Sequence, residues 1–229
     1  MCRLAAPLFM AELNLVLLGP PGSGKGTQGE RLHDELKLPY WATGDILRAA
    51  VREGTELGRL AKQYMDRGDL VPDEVIVGAI GERIASEEAA AGFILDGFPR
   101  TVPQAEALAV KMSELGRELT AVLLIDASDE EVTRRLGGRR TCAEGGHVFH
   151  VEFNPPAREG ICDIDGSELV VRDDDRPEVI ANRLETYHAK TEPLIAFYGE
   201  RGLLQRIDGC AAPDEVTEEL RSTLATCTG

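Results

Sequence analysis

Gly19-Pro20-Pro21-Gly22-Ser23-Gly24-Lys25-Gly26-Thr27 follows the near-continuous apolar run Leu13 to Leu18 and precedes a helix-period segment reaching about Leu36. Strand, glycine-rich loop and helix in that order is the setting in which such a loop wraps phosphate. Glycines let backbone N–H groups turn inward around phosphate oxygens, and the following helix N-terminus adds a favourable dipole. Lys25 supplies a mobile positive charge to the outer phosphates of a nucleotide. Gly22, Ser23, Gly24, Lys25, Gly26 and Thr27 are therefore candidate nucleotide-binding residues, and the Thr27 hydroxyl is placed to assist a hydrated Mg2+. The run departs from the general pattern G-x-x-x-x-G-K-[ST], because Gly26 takes the hydroxyl position and Thr27 follows it. The bland alternative is a Gly/Pro turn with a solvated lysine. By itself the loop leaves GTPase, ATPase and kinase open.

Outward from the loop, buried-strand runs recur at Gly92 to Leu95, Ala121 to Ile125 and Leu203 to Ile207, with a weaker one near Leu38 to Trp41. Helix-period segments such as Val102 to Leu115 and Asp214 to Leu224 separate them. The alternation predicts an α/β fold: a parallel sheet of five strands with helices on both faces. Two regions break the rhythm. Residues 42–71 are mostly helical and charged, whereas Arg139 to Arg172 is rich in glycine and β-formers, contains Asn154-Pro155-Pro156 and lacks helical periodicity. The second predicts a small separate β module. One oddity lies in the first helix, where Gly29 stands at a position that a better helix former would improve by roughly 0.8 to 1.0 kcal/mol.

The chain has 229 residues, enough for one well-buried core with inserted modules. Its 40 acidic against 25 basic residues give a formal charge of -15, which repels nucleic acid and anionic lipid. Phosphate binding then requires a local cluster of Arg and Lys acting within roughly a Debye length, about 8 Å. No apolar run approaches the roughly 20 residues of a membrane-spanning helix. Residues 1–11 carry a short apolar patch broken by Pro7, which reads as a disordered leader or a start truly at Met10 rather than a signal peptide. The cysteines Cys2, Cys142, Cys162, Cys210 and Cys227 are odd in number and scattered, which argues against a disulfide framework and for a reducing, cytoplasmic setting.

A second constellation, Phe93-Ile94-Leu95-Asp96-Gly97-Phe98-Pro99-Arg100, places a carboxylate at the end of a buried strand next to the expected loop. Asp96 suits Mg2+ held through water, Gly97 permits close approach of a ligand, and Arg100 offers a fork for a second phosphate.

Gly19 to Thr27 with Gln28 after it, together with Asp96 to Arg100 and Gln104, resembles the adenylate kinase family, and the likeness runs across nearly the whole chain. The resemblance implies a P-loop sheet carrying a helical AMP-binding arm and a small β lid. Residues 12–41, 72–137 and 176–229 would form the core, 42–71 the arm and 138–175 the lid. It implies reversible Mg-dependent phosphoryl transfer from ATP to AMP giving two ADP, by a protein that is usually a monomer.

Residue by residue, Thr43 and Arg48 match the family's AMP-site segment, Asp69-Leu70-Val71 the backbone lining the adenine, and Gln104 the amide that reads the base. Gly97, Phe98, Pro99 and Arg100 complete that AMP side, with Arg172 and Arg183. Arg135, Arg139, Arg172 and Arg183 match the arginines of ATP and the transferring phosphate, while Val148 and Phe149 fall where the ATP adenine packs. Lys25, Arg100, Arg135, Arg139, Arg172 and Arg183 are thus the candidate catalytic set, and with Arg48 they are the local cationic cluster that the charge balance requires. No Ser, Cys or His nucleophile is needed, because an AMP phosphate oxygen is already ionised near neutrality.

Some relatives with this longer lid hold structural zinc through C-x-x-C followed by C-x-x-D. Here Cys142, Cys162 and Asp165 fit, but Gly145 replaces the second cysteine, and a tetrahedral site needs a fourth ligand. His147 is the nearest substitute. A zinc site and a metal-free lid in which these residues hydrogen-bond or pack both fit the sequence. Rival functions are a UMP or CMP kinase, a regulatory GTPase, for which an N-K-x-D segment is missing, and a noncatalytic nucleotide-binding module.

Overall fold

The computed structural model describes residues 12–227, so the reading of residues 1–11 as a leader lies outside the described residues. Five parallel strands, β1 (Leu13–Leu18), β2 (Tyr40–Ala42), β3 (Gly92–Asp96), β4 (Ala121–Asp126) and, last in the chain, β8 (Leu204–Asp208), form a sheet in the order β2-β3-β1-β4-β8. The chain runs from β1 outward to the β2/β3 side and then crosses to β4 and β8, so a crevice opens at the carboxyl ends of β1 and its neighbours. The run at 203–207 is displaced by one residue to Leu204–Asp208, and the weak run at 38–41 pairs only over Tyr40–Ala42.

Along β1, Val16 and Leu18 pack on one face with Trp41, Ile80, Phe93 and Leu108, while Leu15 and Leu17 pack on the other with Leu32, Ile207 and Leu220. Strand residues alternate faces, and both faces are apolar because helices cover both. On the Leu15 side lie α1 (Lys25–Leu36) and α9 (Pro213–Cys227); α9 buries Val216, Leu220 and Leu224 at four-residue spacing. On the Val16 side lie α4 (Asp73–Ile84), α5 (Val102–Glu114) and α8 (Pro193–Gly199).

Arg117 fastens the amino ends of the strands. Its guanidinium donates to Ile84 O (2.6 Å), Ala89 O (2.7 Å) and Asn14 Oδ1 (2.9 Å) and pairs with Glu12. This braces the sheet at the end away from the crevice.

Between β2 and α4 the chain forms α2 (Thr43–Arg52) and α3 (Glu56–Met65). After β4 come α6 (Asp129–Gly138) and a second, antiparallel sheet ordered β6-β5-β7, from β5 (Arg139–Cys142), β6 (Val148–His150) and β7 (Leu169–Val170). This sheet has its own small core of Cys142, Phe149, Cys162 and Leu169. The chain returns through α7 (Pro177–Thr186) and a π-helical turn, Tyr187–Thr191. No helix among the described residues is long and apolar enough to cross a membrane.

Candidate active site

Three helix N-termini elsewhere carry a side-chain cap: Thr55 accepts from Gly58 N, Thr101 from Gln104 N and Ser128 from Glu131 N. The N-terminus of α1 has no such cap and no acidic residue in its first turn, and Gly24 preceding it is left-handed (φ 102°). Four amide donors at a helix start need acceptors, and here the loop leaves them for an anion. Lys25 folds back across the loop and donates to Gly19 O (2.9 Å) and Pro20 O (2.7 Å). Burial draws its ammonium down to about 8; Asp96 opposes the shift, and Arg100, Arg183 and Arg139 add to it. A cation so placed gains most from an arriving polyphosphate.

The neighbouring bay grows from the end of β3. Thr43 is buried and donates to Gly97 O (2.8 Å), tying the start of α2 to the turn after Asp96. Arg100 Nε donates to the same carbonyl at 2.8 Å. Gln104 is buried; its Oε1 accepts from Arg100 N (2.7 Å) and its Nε2 donates to Asp73 Oδ1 (2.6 Å). Asp73 was missed in the sequence, yet it sets which end of the Gln104 amide faces which way. Phe98 is 1 % exposed and belongs to the core, so its side chain supports the turn from beneath. Val71 is buried, Leu70 is half-buried, and the Asp69 carboxylate accepts from Arg67 (2.9 Å) and Asn182 (3.3 Å), the last linking 67–69 to α7.

Five arginines surround these two bays. Arg135 reaches over the loop to Gly209 O (2.7 Å) and Ser23 O (3.3 Å), anchored by Glu131 at 2.7 Å. Arg139 makes a two-pronged bond to Asp175, and Arg183 shares that carboxylate at 3.1 Å while also pairing with Asp174 at 3.1 Å. Arg172 donates to Thr141 Oγ1 (2.8 Å), and Arg48 pairs with Asp45 (2.6 Å) and lies 3.9 Å from Asp174. Burial pulls Arg172 down to about 10, with Arg139 and Arg48 repelling its charge; Arg100 and Arg183 are lowered by burial and by neighbouring arginines. Asp174 is held below its ordinary range, because Arg183, Arg139, Arg48 and Arg172 outweigh its burial. Asp174 and Asp175 are thus counter-ions within the cationic cluster, a role that no sequence motif signals.

In the β6 strand Val148 is 47 % exposed, whereas Phe149 turns inward to the core of the small sheet. The exposed ring beside them is Phe153, 49 % exposed and stacked under Arg134 (4.6 Å) and against His150 (4.4 Å). Nearby, Cys142, His147, Cys162 and Asp165 bring one ligand atom each to within 4.8 Å of one another. Cys142 Sγ lies 3.1 Å from Asp165 Oδ2, and His147 Nδ1 is 3.3 Å from both Cys162 Sγ and Asp165 Oδ2. A Cβ on Gly145 would fall 2.7 Å from His147 Nδ1 and 2.7 Å from Asp165 Oδ2. The imidazole therefore occupies the space that a side chain at 145 would need.

Residues 17–203 match the family model for adenylate kinase. The adenylate kinase of Methanococcoides burtonii is 51% identical over 212 residues, covering 93% of this chain and 98% of that relative. The adenylate kinase of Staphylococcus aureus is 50% identical over 208 residues, covering 91% and 97%, and that of Staphylococcus epidermidis is 49% identical over the same length.

Proposed function

This chain belongs to the adenylate kinase family, and we propose that it seats ATP on the loop 19–27 and AMP in the bay between Thr43 and Gln104, with the arginines between them. The observation that carries this assignment is the convergence of Lys25, Arg48, Arg100, Arg135, Arg139, Arg172 and Arg183 on one cleft of a protein whose net charge is -15. Four of the seven, Lys25, Arg100, Arg172 and Arg183, are depressed by burial and neighbouring cations, and such clustered cations suit the phosphates of two nucleotides. They suit a lone neutral ligand badly.

The reaction of the family is reversible phosphoryl transfer, ATP plus AMP giving two ADP. An oxygen of the AMP phosphate attacks the γ-phosphorus in line, and the bond from that phosphorus to the β–γ bridging oxygen breaks. No proton moves, so alignment and charge stabilisation suffice. Lys25 and the α1 amides hold the β and γ oxygens, Arg139, Arg172 and Arg183 meet the transferring group, and Arg48 and Arg100 hold the AMP phosphate. Arg135 closes over the loop on the ATP side, where Val148 and the backbone of Phe149 border the base. Gln104 reads the adenine of AMP beside Thr43 and the backbone of Asp69, Leu70 and Val71. Closure of the 42–71 arm and the 138–175 lid excludes water, which would otherwise accept the phosphoryl group.

Adenylate kinases work on ATP with Mg2+, and hard oxygen donors fit that ion. The Asp96 carboxylate at the end of β3 and the exposed Thr27 hydroxyl would hold it through water. Bound there, Mg2+ neutralises charge on the β and γ oxygens.

In the lid, two thiols, an imidazole and a carboxylate are the donor set and number of a closed structural zinc site, with His147 in place of the missing cysteine. The role we assign to zinc is to hold the lid sheet, remote from chemistry.

The test of the main assignment is ADP formation with AMP, UMP, CMP and GMP as acceptors. AMP preference with loss of turnover in Arg139→Ala supports it. Binding of ATP without transfer to any acceptor would reject it, and preference for UMP or CMP would move the substrate assignment.

A further inference from the structure

Gly29, buried in the second turn of α1, lies under the ring of Tyr40. A Cβ at position 29 would sit 2.7 Å from Tyr40 Cζ and closer still to Cε2. Any larger residue there would displace the ring. Tyr40 opens β2, pairs in register with Ile94 of β3, and donates its hydroxyl to Asp96 Oδ2 at 2.8 Å. Among the described residues this is the one hydrogen bond to the Asp96 carboxylate, and Oδ1 has no protein donor. The same hydroxyl lies 3.9 Å from where a side chain on Gly26 would begin. Position 26 is the one at which the general phosphate loop carries its Ser or Thr hydroxyl.

We propose that Tyr40 is a positioning residue for the metal-facing carboxylate of Asp96, and that position 29 is glycine so that the ring can lie there. The proposal rests on the reading of Asp96 as the water-mediated partner of the Mg2+ that accompanies ATP. An O–H bond to a carboxylate is short, charge-assisted and directional, so it holds one oxygen and leaves the other turned to the ligand. Burial, then the Asp96 charge, push the Tyr40 phenol above its ordinary range, which keeps it a donor across the working pH. Glu30 and Asp45 also face this phenol electrostatically, and both disfavour its ionisation. A second hydroxyl thus reaches the site from β2, acting on the Asp96 carboxylate, while Thr27 serves the ion.

The experiment measures Mn2+ affinity of the protein–ATP complex, without AMP, from the electron paramagnetic resonance signal of free Mn2+. Tyr40→Phe retains the ring and removes only the donor. Expected is a weakening of roughly tenfold, at the low end of the range for outer-shell partners, with ATP affinity in chelator within about twofold of wild type and turnover restored by high Mg2+. Gly29→Ala should weaken Mn2+ binding similarly although the hydroxyl is still present, and Asp96→Asn more than either.

Mn2+ affinity unchanged in Tyr40→Phe while Asp96→Asn weakens it would overturn the role of Tyr40 and leave Asp96 standing. Unchanged affinity in Asp96→Asn would remove the reading on which the proposal rests. A Tyr40→Phe defect equal with and without metal would make the contact one of loop packing and also overturn it. Should Gly29→Ala fail to fold, the Tyr40→Phe result decides.

Discussion

Asp175, whose side chain has no exposed surface, holds Arg139 through both carboxylate oxygens at 2.7 and 2.6 Å and takes Arg183 on one of them at 3.1 Å. The two arginines remain about one-fifth exposed toward the cleft, at 18 and 20 %. One buried anion thus aims two cations that would otherwise repel each other.

Asp175→Asn leaves both guanidinium groups facing a neutral amide. Removing one partner of a buried ion pair costs roughly 3 to 5 kcal/mol, and the residual exposure of the arginines places this variant near the lower end, about 3 kcal/mol. Urea unfolding should register that loss, and turnover should fall with it because Arg139 loses its anchor. Wild-type stability in the variant would mean that the arginines find other partners.

On the proposed assignment, Arg139→Ala takes one donor away from the transferring phosphoryl group. Loss of one such donor costs on the order of a hundredfold to a thousandfold in kcat. ATP affinity, carried by the loop, should change far less. A variant whose KM for ATP rises while kcat holds would show that Arg139 acts in ground-state binding alone.

Lys25 gives the site a pH signature. Its pKa of about 8 lies below the ordinary 10.5, so between these values the unfolded chain binds more protons than the folded one. Stability contributed through this group therefore rises with pH from about 8 toward 10.5 and is flat below. ATP acts oppositely, favouring the charged ammonium, so its affinity should decline as pH climbs past about 8. Calorimetric ATP titrations from pH 7 to 9.5 check this, with Lys25→Met expected to be weak and nearly pH-independent over that interval.

Gln104 is fixed at both ends, by Arg100 N and by Asp73. Replacing it with Leu leaves the Asp73 carboxylate and the Arg100 amide short of a partner at the AMP bay. A buried polar group left unpaired costs about 1 to 3 kcal/mol, or roughly 5- to 150-fold in KM for AMP, with a smaller effect on KM for ATP. Steady-state kinetics with both substrates varied would reveal it; equal effects on the two would argue for a general loss of fold.

Zinc in the lid is checked by elemental mass spectrometry on chelator-washed protein. A stoichiometry near one per chain is expected, falling in His147→Ala and in Gly145→Ala, where the new Cβ would contend with the imidazole. A value near zero for the wild type rejects the metal and leaves the hydrogen bonds among Cys142, Asp165 and Ser167 as the lid's fastening.

What could be read along the chain was whatever a single segment encodes: the glycines and lysine of 19–27, the strand ending in Asp96, the two-sided apolar runs, and the spacing of arginines. Local backbone demands and the alternation of faces leave their mark in consecutive residues, so the sequence by itself determined the sheet, the glycine-rich loop at its crevice and the cations that gather there. Only tertiary structure decided what those groups lean on. Asp175 steadies Arg139 from 36 positions away, Asp73 orients Gln104 from 31, and Tyr40 reaches Asp96 across 56. Gly29 looks like a flaw in its helix until the Tyr40 ring is seen above it. Asp174 and Asp175 meet Arg139 and Arg183 only once β5 and α7 are packed beside them. Such partners meet because packing brings separate elements together, and no periodicity or motif within one element carries that information.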